Sequence, residues 1–460
     1  MPKRNLFVLL MMIAIAGVAW LARDRAGHGR RFAEVLGAIE RTYLEPVDQQ
    51  RLFSAAMEGV FSRLDEHSAF ITGDRRDQLE RVLDQAFGGV GLELTSSEAA
   101  RSIVVGSPVF GSPAWHAGIA AGDRILAIDD VSTQQMTIDE ALRRLRGRPG
   151  TSVRLSVAAT AGDEAAAAAV PPTRDIVLVR EVVTMESVLG DRRRPDGSWE
   201  WTIEGEPAAA IIRITSFGER TAGELQRALE AITSRSTDAG RESQVADAVL
   251  VLDLRGNAGG LLSSAVEVCD IFLDDGVIVS TRGRAARDPG AAGDDAAALE
   301  VRRATRGAAC ADLPMAVLVD GLTASAAEVV AACLQDHGRA VVVGSRSFGK
   351  GTVQSLLPMS DGSGLVKLTT SEYLRPSHVN IHRRSDDDDN AAWGVSPDGG
   401  CEIMPTGRQI EAMQVWRRKR DVVPVKGGRS VVQPAPSHAV LPRHVDPVLA
   451  KAVDALRERK

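Results

Sequence analysis

Between Met185 and Thr369, apolar runs of strand length alternate with longer runs of helical period, and this alternation constrains the fold more than any other feature of the chain. "AAAIIRITSF", "AVLVLDLRG", "MAVLVDG" and "AVVVG" read as strands. "TAGELQRALEAI", "GLLSSAVEVCDIFL" and "SAAEVVAACLQDHG", which separate them, read as helices. Such β/α alternation implies a doubly layered α/β domain. The Ala-, Gly-, Arg- and Asp-rich stretch 282–309 reads as a surface insertion in that domain, and Asp386 to Asp389 as a solvated charge run.

A chain of 460 residues is too long for one ordinary core, and the texture changes along it. Residues 31–86 carry apolar side chains at helical spacing, as in "FAEVLGAIERTY". From "FGGVGLEL" to about residue 183 the chain becomes glycine-punctuated and alternating, as expected of a small half-open β domain. A low-complexity loop, "AGDEAAAAAVPPT", interrupts it. A tail with a short terminal helix, residues 426–460, follows the α/β core at 184–425.

The N-terminus, residues 1–30, places Lys3 and Arg4 before an uncharged apolar run from Leu6 to Ala22. As a helix this run spans roughly 25 Å, slightly short of a hydrocarbon core of about 30 Å. No clean small-x-small cleavage site follows it. It reads as an uncleaved anchor, with a cleaved signal as the alternative. Arg23, Arg25, Arg30 and Arg31 point toward a cytoplasmic body by the positive-inside rule, so charge alone leaves orientation open.

A net charge of −6 and an aromatic content of 4% offer nucleic acid neither a basic field nor stacking platforms. The four cysteines, Cys269, Cys310, Cys333 and Cys401, show no Cys-x-x-Cys spacing, so a zinc site is not expected. They read as buried or incidental thiols, a Cys269–Cys333 disulfide being the alternative.

"VVVGSRSFGKGTVQ", Val341 to Gln354, is one residue away from a nucleotide-binding P-loop. That motif needs Ser or Thr after the lysine and a helix behind it. Here Gly351 follows Lys350, and "TVQSLLPMS" alternates as a strand does, which removes the phosphate reading. Upstream, "VDGLTASAAEVV" ends a strand, turns through Gly321 to Ala324 and opens a helix near Ser325. Taken alone, Ser325 is a helix N-cap. With Lys350 it becomes a candidate nucleophile, because a lysine kept neutral by burial can activate serine in place of histidine. His67, His116 and His337 have no acidic partner at a telling position, which leaves a Ser-His-Asp triad unsupported.

"DLRGNAGG", "TASAAE", "QDHGRAVVVG" and "SFGKGTVQ", in that order, closely resemble the carboxyl-terminal processing peptidases, tail-specific serine proteases with a Ser/Lys dyad on a crotonase-like fold. The resemblance implies Ser325 as nucleophile, Lys350 as general base and Gln354 as the residue that orients the lysine amine. It places Glu328 and Asp336 near the site in supporting roles. One departure is Ala327, where the family usually has serine. The glycine turn of "DLRGNAGG" suggests an oxyanion hole from the amides of Ala326 and Gly259, with Gly260 competing for the second donor.

"FGGVGLEL" with "SPAWHAGIAAGDRILAIDD" resembles a bacterial PDZ domain. The amides of Gly89, Val90 and Gly91 would receive a terminal carboxylate, and the strand opening at Leu92 would add the peptide by β-augmentation. Asp123 reads as a turn cap. The chain is thus expected to be α/β + β, with a crotonase-like α/β protease core, an inserted PDZ domain at 87–183 and an N-terminal helical segment. Its expected function is serine endopeptidase cleavage near protein C-termini, with no cofactor or metal. Its expected partners are peptides with free C-termini and, through residues 6–22, a membrane; homo-oligomerisation is left open. The resemblance implies a body on the periplasmic side. The rivals are a catalytically silent or partner-activated PDZ scaffold, and a crotonase-type enzyme acting on acyl-CoA.

Overall fold

The computed structural model describes residues 27–73, 76, 85–97, 102–159, 173–237, 248–283, 299–305, 307, 313–384, 391–422 and 446–458. The expected anchor, Cys310, the Asp386–Asp389 run and most of the low-complexity loop and the C-terminal tail lie outside these residues. Among the described residues, no helix is long and apolar enough to cross a membrane. The chain divides into two compact units, residues 1–73 with 354–369, and residues 74–353 with 370–460.

The first unit holds helices α1 (Gly27–Thr42) and α2 (Gln49–Phe61), neither of which buries a residue. The Asp48 side chain caps α2 by accepting from the amides of Gln50 and Arg51. Strand β1 (Ala69–Ile71) pairs antiparallel with residues 365–367. The Asp65 carboxylate accepts from the His67 and Ser68 amides at 2.8 and 2.9 Å and from the Thr369 hydroxyl at 3.1 Å. Gln354 reaches the same Thr369 hydroxyl at 3.4 Å.

In the second unit the β domain comes first. Strand β2 (Ala86–Gly89) leads into β3 (Leu92–Ser97) and β4 (Ser102–Pro108), followed by helix α3 (Pro113–His116). Next come β5 (Arg124–Ile128), helix α4 (Ile138–Leu145), β6 (Ser152–Ala158), β7 (Thr173–Val179) and β8 (Glu181–Thr184). The sheet runs β3-β4-β5-β6-β7, so β3 is an edge. Alternate residues such as Ile103, Val105, Val153, Leu155 and Val157 enter its core with Ala141 and Leu145 of α4. Asp123 accepts the Ala120 amide and pairs with Arg174, as a turn cap should.

The α/β layer contains β9 (Val188–Leu189), β10 (Ala209–Ile214), α5 (Thr221–Thr237), β11 (Val249–Asp253) and α6 (Leu262–Phe272). It continues with β12 (Val277–Gly283), β13 (Glu300–Arg303), β14 (Met315–Val319), α7 (Ala326–Asp336) and β15 (Ala340–Gly344). Strands β16 (Thr352–Pro358) and β17 (Leu365–Leu374) and helices α8 (Gly407–Asp421) and α9 (Pro447–Glu458) complete the chain. The central sheet runs β9-β10-β11-β14-β15, its last four strands parallel. Successive side chains of a strand point to opposite faces. Leu250, Leu252, Val317 and Val342 therefore enter the core formed with α5, α6 and α7, while Val251, Leu318 and Val343 enter a second core against α9. A sheet covered on both faces requires the continuous apolar runs seen in the sequence.

Within the 282–309 stretch, read as a surface insertion, Glu300–Arg303 forms β13, paired antiparallel with β12. Four exposed residues on an edge strand carry no apolar alternation, so no strand signal precedes them in the sequence. Cys269 and Cys333 are free, fully buried thiols on α6 and α7, and Cys401 is free and buried as well. Burial pushes the Cys269 thiol well up, and its hydrogen bond with Cys333 adds to the shift.

Arg255, just past β11, links that strand to the C-terminal helix. Its guanidinium bonds Asp253 at 2.9 and 2.6 Å and Asp446 at 2.9 Å twice. Asp446 in turn caps α9 through the Leu449 amide at 3.0 Å. Burial acts to raise the Asp446 pKa, but the Arg255 charge overrides it and the carboxyl falls to about 2. A depressed folded-state pKa contributes stability above the unfolded value and loses it as pH falls. Wild-type protein should therefore lose about 2 kcal/mol as pH drops from 3.8 through about 2, a component that Asp446→Asn lacks. Denaturant unfolding of both proteins across that pH range checks this; parallel curves would remove the linkage.

Candidate active site

Two turns at the C-terminal ends of neighbouring parallel strands meet here, the 254–260 turn after β11 and the 320–325 turn after β14. Polar side chains stitch them together. Asp320 accepts the Gly256 amide at 3.0 Å, the Thr323 hydroxyl donates to the Leu254 carbonyl at 3.0 Å, and the Ala324 amide donates to the Asn257 carbonyl at 2.9 Å. Asn257, fully buried, donates its side-chain amide to the Ile214 carbonyl at 2.8 Å. A Cβ on Gly259 would lie 2.8 Å from both the Ala324 oxygen and the Ser325 Cβ, so only glycine lets the turns approach this closely.

Ser325 ends the second turn at the start of α7, with φ 57° and ψ −121°. That region is costly for any residue with a Cβ, and such strain persists only where the surroundings over-determine it. Glu328 supplies that determination. One carboxylate oxygen accepts the amides of Ser325 and Lys350, each at 2.8 Å. The other accepts the Ser347 hydroxyl at 2.5 Å and the Gly349 amide at 2.7 Å. A single fully buried carboxylate therefore holds the backbone of the candidate nucleophile beside that of the candidate base. Burial pushes the Glu328 carboxyl up, against the pull of these four hydrogen bonds.

The glycines flanking Lys350 serve packing. A Cβ on Gly349 would lie 2.9 Å from the Trp393 ring, and one on Gly351 would lie 2.4 Å from the His382 nitrogen. The P-loop likeness of this stretch thus has a steric origin. Thr352–Pro358 follows as a strand and carries Gln354, four residues past the lysine.

The Ala326 amide opens α7 with no partner in the preceding turn, as first-turn amides do. The Gly259 amide, by contrast, donates to Asn257 Oδ1 at 2.8 Å. Asp336 lies at the far end of α7, bonded to Arg375 at 2.9 Å. Sequence reasoning missed Asn257 and Ser347.

In the β domain a groove of about 470 Å³ is lined by Phe87, Leu92, Leu94, Leu142 and Leu145, from β2, edge strand β3 and helix α4. The Arg146 guanidinium lies over the Phe87 ring, 5.5 Å from its centre. The carbonyls of Val90 and Gly91 are held by the amides of Ala114 and Val109 at 2.9 and 3.0 Å. Among the described residues, the Val90 and Gly91 amides make no hydrogen bond. Gly89 closes the β2–β8 ladder opposite Glu181.

Backbone strain at Ser325 is measurable. At an ordinary helical site glycine is less stable than alanine by roughly 0.5–1 kcal/mol. Here the order should invert, Ser325→Gly exceeding Ser325→Ala by about 1 kcal/mol in unfolding free energy. Equal stabilities, or alanine the more stable, would mean the turn is relaxed.

Comparison with known proteins identifies the family. Residues 208–399 match the model of peptidase family S41, and residues 104–158 match a PDZ domain model. A carboxy-terminal-processing protease of Bartonella bacilliformis is 34% identical over 371 residues, covering 80% of this chain and 74% of that protein. A carboxyl-terminal-processing protease of Synechocystis sp. is 32% identical over 347 residues, covering 75% and 72%. Among solved structures, a photosystem II D1 C-terminal processing protease aligns at 25% identity and a TM-score of 0.42, covering 90% of this chain and 97% of that one. The chain belongs to peptidase family S41, among the carboxyl-terminal-processing proteases, and is a serine-type peptidase carrying a PDZ domain.

Proposed function

We propose that this protein is an endopeptidase that cuts its substrates near their C-termini, with Ser325 as nucleophile and Lys350 as general base. The observation that carries the reading is the Glu328 carboxylate, which accepts the Ser325 and Lys350 amides on one oxygen. Neutral Lys350 takes the Ser325 proton, Oγ attacks the scissile carbonyl, and the protonated lysine then gives its proton to the leaving amine. Water enters and releases the acyl group. Gln354 orients the lysine amine in this reading, on the strength of its position in the motif.

The Ala326 amide is the first oxyanion donor. The second comes from the Gly259–Gly260 turn: the Gly259 amide faces Asn257 Oδ1, so Gly260 serves in this geometry and Gly259 once Asn257 releases it. The α/β core is crotonase-like in this reading, and the body works outside the cytoplasm, tethered by residues 6–22.

The PDZ groove selects chain ends. A tail adds to edge strand β3, its last side chain enters the apolar groove, and its carboxylate meets the Gly89–Leu92 loop, whose Val90 and Gly91 amides are unengaged. The engaged Gly259 amide favours a second reading, in which the hole completes only when a partner or substrate tail binds. A lag in peptide cleavage that added tail peptide abolishes would select it.

Ser325→Ala and Lys350→Met should each lower kcat about 10⁴-fold while tail-peptide affinity stays unchanged. Amidating the peptide's C-terminus should weaken its binding at least about tenfold, the loss of one charge-assisted contact. Full activity in either variant removes the dyad, and equal affinity for both peptides removes carboxylate recognition.

A further inference from the structure

The structure assigns Glu93 as the residue that reads the penultimate side chain of the tail and selects Lys or Arg there. The inference rests on the tail-recognition reading above and names the substrate class it serves: chain ends in which a basic residue precedes an apolar last one. Glu93 is the second residue of edge strand β3 and borders the apolar groove. Side chains alternate along a strand. Leu92 and Leu94 turn into the core of the β domain, so Glu93 stands on the other face, with part of its surface open to solvent.

The direction and register of the tail follow from where its carboxylate goes. The Val90 and Gly91 amides lie before β3 begins, so a tail that delivers its carboxylate there runs antiparallel to the strand. Its last residue then stands beside Leu92, the penultimate one opposite Glu93 and the third from last opposite Leu94. Residues directly opposite in an antiparallel ladder share a face. The last and third-from-last side chains therefore join the two leucines, and the penultimate side chain meets the Glu93 carboxylate.

Charge decides what that side chain is. Among the described residues, the Glu93 carboxylate makes no hydrogen bond or ion pair. The basic groups around it are engaged elsewhere. Arg193 pairs with Glu186, donates to the Gly197 carbonyl at 2.8 Å and lies over the Trp199 ring, 3.9 Å from its centre. Arg213 bonds Asp421, one contact being 3.0 Å. Arg146, the other charged residue at the groove, lies over the Phe87 ring. Burial pushes the Glu93 carboxyl up, and the Asp421 charge pushes it further against the pull of Arg193. A Lys or Arg side chain relieves this unmatched anion, whereas Asp or Glu in the same place adds repulsion.

The test measures peptide binding to the full-length Ser325→Ala protein, so that cleavage does not consume the ligand. The peptides have a free C-terminus and the same apolar last residue, and differ only in the penultimate side chain. Lysine should bind about tenfold tighter than glutamate and about fivefold tighter than glutamine. Glu93→Gln should bring all three within about twofold, and Glu93→Lys should reverse the order. A reversed preference cannot come from misfolding. Lysine moved to the third position from the end should give no gain, because that side chain faces Leu94.

Lysine and glutamate peptides that bind within about twofold of each other overturn the assignment, as does a tenfold ratio that survives Glu93→Gln. Failure of the underlying reading looks different: amidated and free peptides then bind alike, and both ideas fall. Binding that is lost on amidation yet indifferent to penultimate charge overturns the role of Glu93 alone.

Discussion

Everything at the candidate centre hangs on one buried carboxylate. Glu328 has no exposed surface and accepts four hydrogen bonds, three of them from backbone amides on two segments far apart in the chain. An unpaired buried carboxylate would cost several kcal/mol, so a fold that encloses this residue must bring all its donors with it. The residue that closes the first turn of α7 thereby also sets where the lysine segment runs. Position and chemistry are coupled through a group that itself exchanges no proton with substrate.

The strain at Ser325 belongs to the same design. A positive-φ backbone at the strand-to-helix turn ends at a helix whose first amide, that of Ala326, has no partner, while the Ala327 and Glu328 amides bond the carbonyls of Ala324 and Ser325. Stitching by Asp320, Thr323 and Asn257 to the neighbouring turn makes that conformation affordable and delivers the Gly259–Gly260 backbone to the same place. Asn257 has two duties: one end of its amide secures the β10 end, and the other occupies the Gly259 amide. The availability of the Gly259 amide therefore depends on a single side chain.

The β domain and the α/β core lie within one compact unit, and the peptide groove is bordered by Met185 and Ser216 as well as by PDZ residues. Gln85 crosses between the parts, its amide reaching the Thr221 hydroxyl and the Arg220 backbone at the start of α5, each at 3.2 Å. Tail recognition and the core are thus joined by specific polar contacts and not by a bare linker.

The α/β core, the β domain, the Ser325 turn and the lysine strand were legible in the sequence because local rules dictate them. Continuous apolar runs signal strands buried on both faces, and a serine before an apolar helical run signals a helix start. Strand β13 was not legible, since an exposed edge strand needs no apolar period. Nor were the roles of Asn257 and Ser347, because a hydrogen bond between segments separated in the chain leaves no mark on either neighbourhood. The sequence by itself determined which elements form and which residues are chemically able. Only the tertiary structure decided which of them meet, because burying Glu328 demands partners that local propensity cannot name.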